Sequence, residues 1–333
     1  MAIETTLLPR DRWSEWNDWV HEHPRGTLFH TTRWLDRVGG ELQVYLTREE
    51  GRIVAGAALL RRRKFGVSGW HVPPYTPCYG PLVLDSDKKQ RGAARTEERG
   101  WLGALLDALP RVPHADFILP TGHHDPLPWH WRGWQSDVRI THVVRGSVEE
   151  YLGNIVKRKA AYLRKLQGMV ERGELVLSLD HEVAPVLDMW ARTAEHKSFT
   201  HRDDVLRGLF RDPGEGFWTC VRISDREGQL LGGSVLVHDH RRAWNLVNGV
   251  RRDVDGVLRQ INMLLMDAGI QHFLGQGMVF DFEGSMLPGV GDFYTIMGGE
   301  QVPCYRFMRS RSLRYFALRT IDRFRRERRG GGA

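Results

Sequence analysis

Gly51-Arg-Ile-Val-Ala-Gly-Ala-Ala-Leu-Leu60 and Gly228-Gln-Leu-Leu-Gly-Gly-Ser-Val-Leu-Val237 align position by position at an offset of 177 residues. Alternating aliphatics stand ahead of each copy, Val44 and Leu46 before the first, Val221 and Ile223 before the second. Between them lie charged turns, Glu49-Glu50-Gly51 and Arg226-Glu227-Gly228. Each copy therefore reads as a β-hairpin: strand, turn, strand.

The flanks repeat more loosely. A Trp-bearing helical stretch precedes each hairpin, at 31–38 and 183–197. After the first come a strand near 79–83, a helix near 93–109 and a buried strand at 116–119. After the second come a strand at 243–247, a helix at 257–274 and a strand at 278–282. Leu258, Ile261, Leu264 and Ala268 share one helical stripe in the last of these helices. The shared order is helix, hairpin, strand, helix, strand. An internal duplication of a mixed α/β unit accounts for it.

That order resembles the GNAT acyltransferase fold. Two such units in one chain resemble the Fem family and its relatives, which join an acyl or aminoacyl group to an amine. The resemblance is most specific in Phe280-Asp-Phe-Glu-Gly-Ser-Met-Leu-Pro-Gly-Val-Gly-Asp-Phe-Tyr-Thr-Ile-Met-Gly-Gly-Glu-Gln-Val-Pro303, a strand followed by an acidic residue, a Gly-containing loop, an aromatic-initiated helix and a Gly-Gly turn. Leu28-Phe-His-Thr-Thr-Arg-Trp34 and the basic run Lys157 to Lys165 look like other parts of that family. The fold class it implies is α/β: two tandem GNAT-like units, 1–146 and 147–305, with a basic C-terminal helix over 306–333. Two features depart from the peptidoglycan-bridge branch. Phe293-Tyr294 stands where those enzymes carry Phe-Lys, and no extended heptad run forms a helical arm.

Composition bounds the classes. Of 333 residues, 41% are hydrophobic and 27% charged, with 12 Trp and 13 Phe, so the chain is globular rather than disordered. No apolar run reaches the ~18 residues of a membrane span. The first residues lack the apolar stretch of a secretory leader. Cys78, Cys220 and Cys304 form no CxxC pair, so a reduced, cytoplasmic protein is expected. The net charge of +7 is local. Ten Arg against Asp322 and Glu327 give residues 301–333 a charge of +8, leaving −1 for residues 1–300.

Amide formation needs a deprotonated amine, donors aimed at the developing oxyanion, and two substrates held together. Asp281 and Glu283, two apart in an apolar strand, are expected on one face, with Phe280 and Phe282 on the other. They are candidates to bind an ammonium group and take its proton; the plainer reading is a charged loop start. Tyr294 is a candidate proton donor to a leaving group or a packing residue. Phe293 reads as an apolar wall, and Gly284 as a site of close backbone approach. Asn248, just after the strand expected at 243–247, joins the substrate-binding candidates. From the family's first-domain cleft, the resemblance extends to Trp34 and Tyr75 as acceptor-pocket candidates, or else buried rings under a Pro-rich loop.

No GxxxxGK[ST] or GxGxxG phosphate cradle occurs. Where single-domain GNAT proteins bind the CoA pyrophosphate stands Arg251-Arg-Asp-Val-Asp-Gly-Val257, whose acids would repel it. No tightly bound cofactor is expected. The donor is read as aminoacyl-tRNA first, acyl-CoA or an acyl carrier protein second, and the acceptor as an amine-bearing small molecule or peptide. Lys157, Arg158, Lys159 and Arg306 are candidate contacts to an anionic donor, against a solvated helix face. His123-His-Asp125 with His130 matches no strong zinc spacing, so no metal is expected. The tail carries an apolar stripe, Leu313, Phe316–Ala317, Thr320–Ile321 and Phe324, amid Arg, with a frayed end from Arg325. Such a helix docks on its own protein, on an anionic membrane, or on nucleic acid. A silent tandem-GNAT binding protein remains the reading outside enzymes.

Overall fold

The computed structural model describes residues 3–122, 125–196, 202–212, 216–284 and 286–330, with the backbone alone at 196 and 322–330. The chain divides into two compact units, Met1–Arg139 with Cys304–Ala333, and Ile140–Pro303. The division thus runs at 139/140 and 303/304 rather than at 146/147 and 305/306, and the tail counts with the first unit.

The first unit opens with β1 (Ile3–Leu8), α1 (Trp13–Glu22) and α2 (Thr32–Val38). The expected hairpin follows as β2 (Glu41–Glu49) and β3 (Arg52–Lys64). Then come β4 (Val67–Trp70), β5 (Leu82–Val83), α3 (Arg91–Ala108), β6 (His114–Ile118) and α4 (Leu127–Trp131). β7 (Gln135–Val144) leads into the second unit: α5 (Val148–Asn154), α6 (Lys157–Glu171), β8 (Leu175–Asp180), α7 (Ala184–His196) and α8 (Asp203–Leu209). Its hairpin is β9 (Trp218–Asp225) with β10 (Leu230–His238), followed by β11 (Arg242–Val250), α9 (Ile261–Leu274), β12 (Val279–Asp281) and α10 (Pro288–Ile296). β13 (Glu300–Ser310) and α11 (Leu313–Gly330) return to the first unit. Strand order there is β1-β2-β3-β4-β6-β13, and in the second unit β7-β12-β11-β10-β9-β8.

The duplication is visible in the packing of one aligned pair of glycines. A Cβ on Gly56 would fall 2.7 Å from the Trp16 ring of α1, and one on Gly233 would fall 2.8 Å from Val186 of α7. In both units the bare backbone lets a preceding helix lie close against the second hairpin strand.

Three expectations change. β4 is inserted ahead of the strand expected near 79–83 and pairs with the far end of the long β3; the expected strand is present as β5, paired with β3, and Tyr79 adds an isolated bridge to Ile118. The basic tail does not begin as a helix. Residues 304–310 are strand, because Phe307 stacks on Trp129 at 4.4 Å, Arg309 lies over Trp134, and Arg306 reaches a buried acid. Those contacts absorb the charges that made the segment look helical and solvated. The helix α11 then runs on to Gly330 instead of fraying from Arg325.

Candidate active site

β11 and β12 are parallel neighbours for three residues only, Arg242–Val279, Ala243–Phe280 and Trp244–Asp281. β11 continues to Val250 while β12 ends at Asp281. The two strands part there, and the candidate acids stand at the parting. On its other side β12 pairs antiparallel with β7, Phe280 to Val144 and Asp281 to Val143.

Asp281 is buried, with 4% of its surface exposed. Thr141 Oγ1 donates to its Oδ1 at 2.5 Å, and the Glu283 N–H donates to the same oxygen at 2.9 Å. Arg242 approaches Oδ2 at 3.5 Å. Burial raises the carboxyl above the usual range. Arg242, the Thr141 hydroxyl and the Glu283 N–H offset part of that rise. A carboxylate so held is able to exchange a proton nearer neutrality than an exposed one.

The side-chain-to-backbone bond from Glu283 to Asp281 is an Asx turn, and it ends the strand. Glu283 consequently takes φ +57°, the left-handed region a non-glycine residue enters at a cost of ~1 kcal/mol or more. The expected strand alternation therefore fails at this point. Asp281 points into the protein, and half-buried Glu283 lies beyond the strand end in a turn that Asp281 itself holds. Gly284 completes the turn. Its N–H donates to Thr141 Oγ1 at 2.9 Å, and a Cβ there would fall 2.2 Å from the Ile140 carbonyl oxygen, so only glycine fits.

The aromatic wall comes from α10, which begins at Pro288 rather than at Phe293. Tyr294 accordingly lies in its second half. The Tyr294 ring stacks on Phe282 at 4.5 Å and meets the edge of His142 at 5.5 Å. Burial raises the Tyr294 hydroxyl, and the nearby carboxylates of Glu283 and Asp281 raise it further. Such a phenol stays protonated. Phe293 packs against the core cluster, as its apolar reading implies. Gly299 closes the turn behind the helix, its N–H on the Tyr294 carbonyl at 2.9 Å.

Three residues of this site went unmarked in the sequence: Thr141, His142 and Arg242. His142 is buried, neither ring nitrogen has a hydrogen-bond partner, and burial lowers its pKa while Asp281 raises it. Nothing in the stretch Ile140 to Val144 announces chemistry. Its importance comes from lying beside β12, 140 residues away in sequence.

The remaining candidates are placed as follows. Asn248 bonds Asn262 of α9 at 2.6 Å. Lys157 and Arg158 are exposed at the start of α6, and Lys159 donates to Gln260 at 3.1 Å. Trp34, Tyr75 and Arg306 belong to the first unit. Trp34 is fully buried, its indole N–H on Thr76 at 3.1 Å, so it is a core residue and not a substrate-facing one. Tyr75 is half-buried with φ +56°. Arg306 is paired with Asp116 by bonds of 2.7 and 2.5 Å, so its charge is already balanced within the first unit. His123 and His124 lie outside the described residues. Among the described residues no cluster of three or more His, Cys, Asp or Glu side chains suits a metal ion.

The second unit also carries a recess of about 540 Å³ beside Val250, lined by Arg192, Thr193, Arg251 and Arg252. The acids expected to repel a phosphate here each stand beside an arginine. Arg251 pairs with Asp253, and Arg259 with Asp255 at 2.9 Å.

Against solved structures, the chain superposes on FemX with a TM-score of 0.67 at 13% identity, over 91% of this chain and 96% of that one. It superposes on L-PGS from Bacillus licheniformis with a TM-score of 0.50 at 14% identity, over 92% and 94%. The chain has a Fem-like tandem-GNAT fold. A tandem GNAT protein from the clavulanic acid biosynthesis pathway also superposes, at a TM-score of 0.49 and 14% identity. No protein-family profile matches the sequence, and no curated protein does. In the Fem-like tandem-GNAT frame, the parting of β11 and β12 is where the second unit offers open backbone beside an acid.

Proposed function

We propose that the chain is an N-acyltransferase that moves an aminoacyl group from aminoacyl-tRNA to an amine acceptor. The observation that carries this reading is the buried, multiply bonded Asp281 at the parting of β11 and β12 in a Fem-like fold. In this reading the acceptor nitrogen attacks the ester carbonyl of the donor, and a C–N bond forms as the C–O bond to the ribose breaks. Glu283, more exposed than Asp281, takes the proton from the nitrogen. Asp281 fixes the Glu283 backbone, acting as a positioning residue. Tyr294 returns a proton to the departing oxygen. Backbone N–H groups of β11 beyond Trp244 face the carbonyl oxygen. Exposed Lys157 and Arg158 offer phosphate contacts.

The test is transfer of radiolabel from charged tRNA to an amine in the presence of purified protein. Label should move, and RNase should abolish the transfer. Glu283→Gln should slow turnover by an order of magnitude or more if it carries the proton; unchanged turnover would make it structural.

A second reading draws on the recess beside Val250. Arg192 and Arg252 there suit the phosphates of acyl-CoA or of an acyl carrier protein's prosthetic arm. Transfer that survives RNase and requires CoA or a carrier protein would replace the tRNA donor with a thioester.

A further inference from the structure

The basic tail helix docks on its own unit by the face opposite to its apolar stripe. Among the described side chains of α11, Tyr315 is the buried one, with 3% exposure. Its ring lies on His114 at 3.7 Å and against His71 and Phe65 at 5.6 and 5.8 Å. Arg319, one turn on, donates to Met308 Sδ at 2.8 Å. These contacts fix how the helix is turned. At 100° per residue, Leu313, Phe316, Ala317, Thr320 and Ile321 share one arc of about 140°, and Tyr315 lies on the other side. The arc points outward: Leu313 is 87% exposed, Phe316 37% and Ile321 45%.

An outward apolar stripe on a strongly charged helix needs a reason. Residues 313–330 carry seven Arg against Asp322 and Glu327, a charge of +5. A second copy of the helix would bring +5 against +5. An RNA strand would engage the arginines and leave Leu313, Phe316 and Ile321 in water. An anionic lipid surface satisfies both features at once, since the stripe enters the acyl boundary while arginines meet the headgroups.

We propose that α11 is a membrane-surface helix, held ready by Tyr315, that seats the protein on anionic lipid. The helix lies in the interface and does not cross it; among the described residues no helix is long and apolar enough to span a bilayer. The proposal stands apart from the transfer chemistry, because its readout is lipid partition alone.

The experiment is flotation of the full chain with phosphatidylcholine vesicles, with and without phosphatidylglycerol. Partition should be at least ~10-fold stronger on the anionic vesicles and should weaken with added salt. The triple variant Leu313→Gln, Phe316→Gln, Ile321→Gln alters only exposed side chains and should lose that partition while keeping the near-ultraviolet signal of the fold. Tyr315→Ala frees the helix from the body without touching the stripe, and should still partition. Failure of the parent chain to bind anionic vesicles, equal binding to both vesicle types, or undiminished binding by the triple variant would overturn the proposal. So would tRNA binding, or a dimer, that depends on the stripe in place of lipid.

Discussion

In the first unit Asp116-Phe117 lies in β6; in the second, Asp281-Phe282 closes β12. Both strands follow the long helix that comes after their unit's hairpin, and both acids are buried, each at 4% exposure. Their surroundings differ. Asp116 is held by both arms of the Arg306 guanidinium, and β6 runs on for two residues between β13 and a bridge from Tyr79. The Tyr79 N–H donates to the Ile118 carbonyl at 2.6 Å and the return bond is 2.9 Å. Asp281 has a guanidinium only at 3.5 Å, and its strand stops at once. Duplicated units therefore carry the same acid in a sealed and an open form. Sealing turns a carboxylate into a structural ion pair. Opening leaves it protonatable beside a gap.

The comparison breaks most directly at the acids themselves. Asp281→Asn should lower transfer by ~10-fold or more while the chain stays folded, because it loosens the turn that presents Glu283. Asp116→Asn should leave transfer per folded molecule within about twofold but cost ~3 kcal/mol of stability, because it strands the Arg306 charge. Turnover and urea midpoints on both variants decide it; a loss of turnover from Asp116→Asn equal to that from Asp281→Asn would erase the distinction.

Thr141→Val tests the open form less severely. It removes the hydroxyl shared by Asp281 and Gly284, leaving a buried N–H without its acceptor, at a cost of about 1–3 kcal/mol. Turnover should fall with it, which steady-state kinetics at matched folded concentration will show.

Acid probes the buried imidazoles of the first unit. Burial lowers His30 and His114 of the first unit to about 3. Their folded values lie below the free imidazole's, so the stability they hold is complete above pH 6.5 and is lost as pH falls toward 3. Each should contribute a slope of about 1.4 kcal/mol per pH unit in that window. His114→Phe preserves the ring stack with Tyr315 and should flatten the profile by one such slope. Denaturant titrations from pH 7 to 4 would reveal it.

The smallest effect on stability is expected at Glu283. Glu283→Gly relieves the left-handed backbone and should stabilise the chain by ~1 kcal/mol while losing the carboxylate. A destabilised Glu283→Gly variant would mean that the side chain anchors the turn.

Much of this frame was legible in the sequence because it is local. The hairpins announced themselves by alternation and a Gly turn, and Gly56 and Gly233 aligned because each must admit a helix. α3, α7 and α9 fall on the stretches read as helical, although α9 is buried nearly all round and not along the single stripe expected of it. What stayed hidden depended on distant neighbours. Asp281 and Glu283 looked like a facing pair because strand periodicity assumes the strand continues, and only the Asx turn shows that it does not. Thr141 and Arg242 acquire roles from strand order alone. Arg306 looked solvated because its counter-ion Asp116 is 190 residues away. Trp34 read equally as a pocket ring or a buried one and is core, a distinction that aromatic identity does not encode.

The bond between Thr141 and Asp281 also has a consequence in time. It joins the first strand of the second unit to its last across 140 residues, so it is among the least local contacts that unit makes. Contacts of such long separation form late and slowly, after helices and hairpins have paid for their own closure. During refolding the far-ultraviolet signal should return before transfer activity does. On a ribosome, the acid would gain its setting only after Asp281 has emerged, so a nascent chain would pass most of its synthesis with a hairpin-rich body and no working centre.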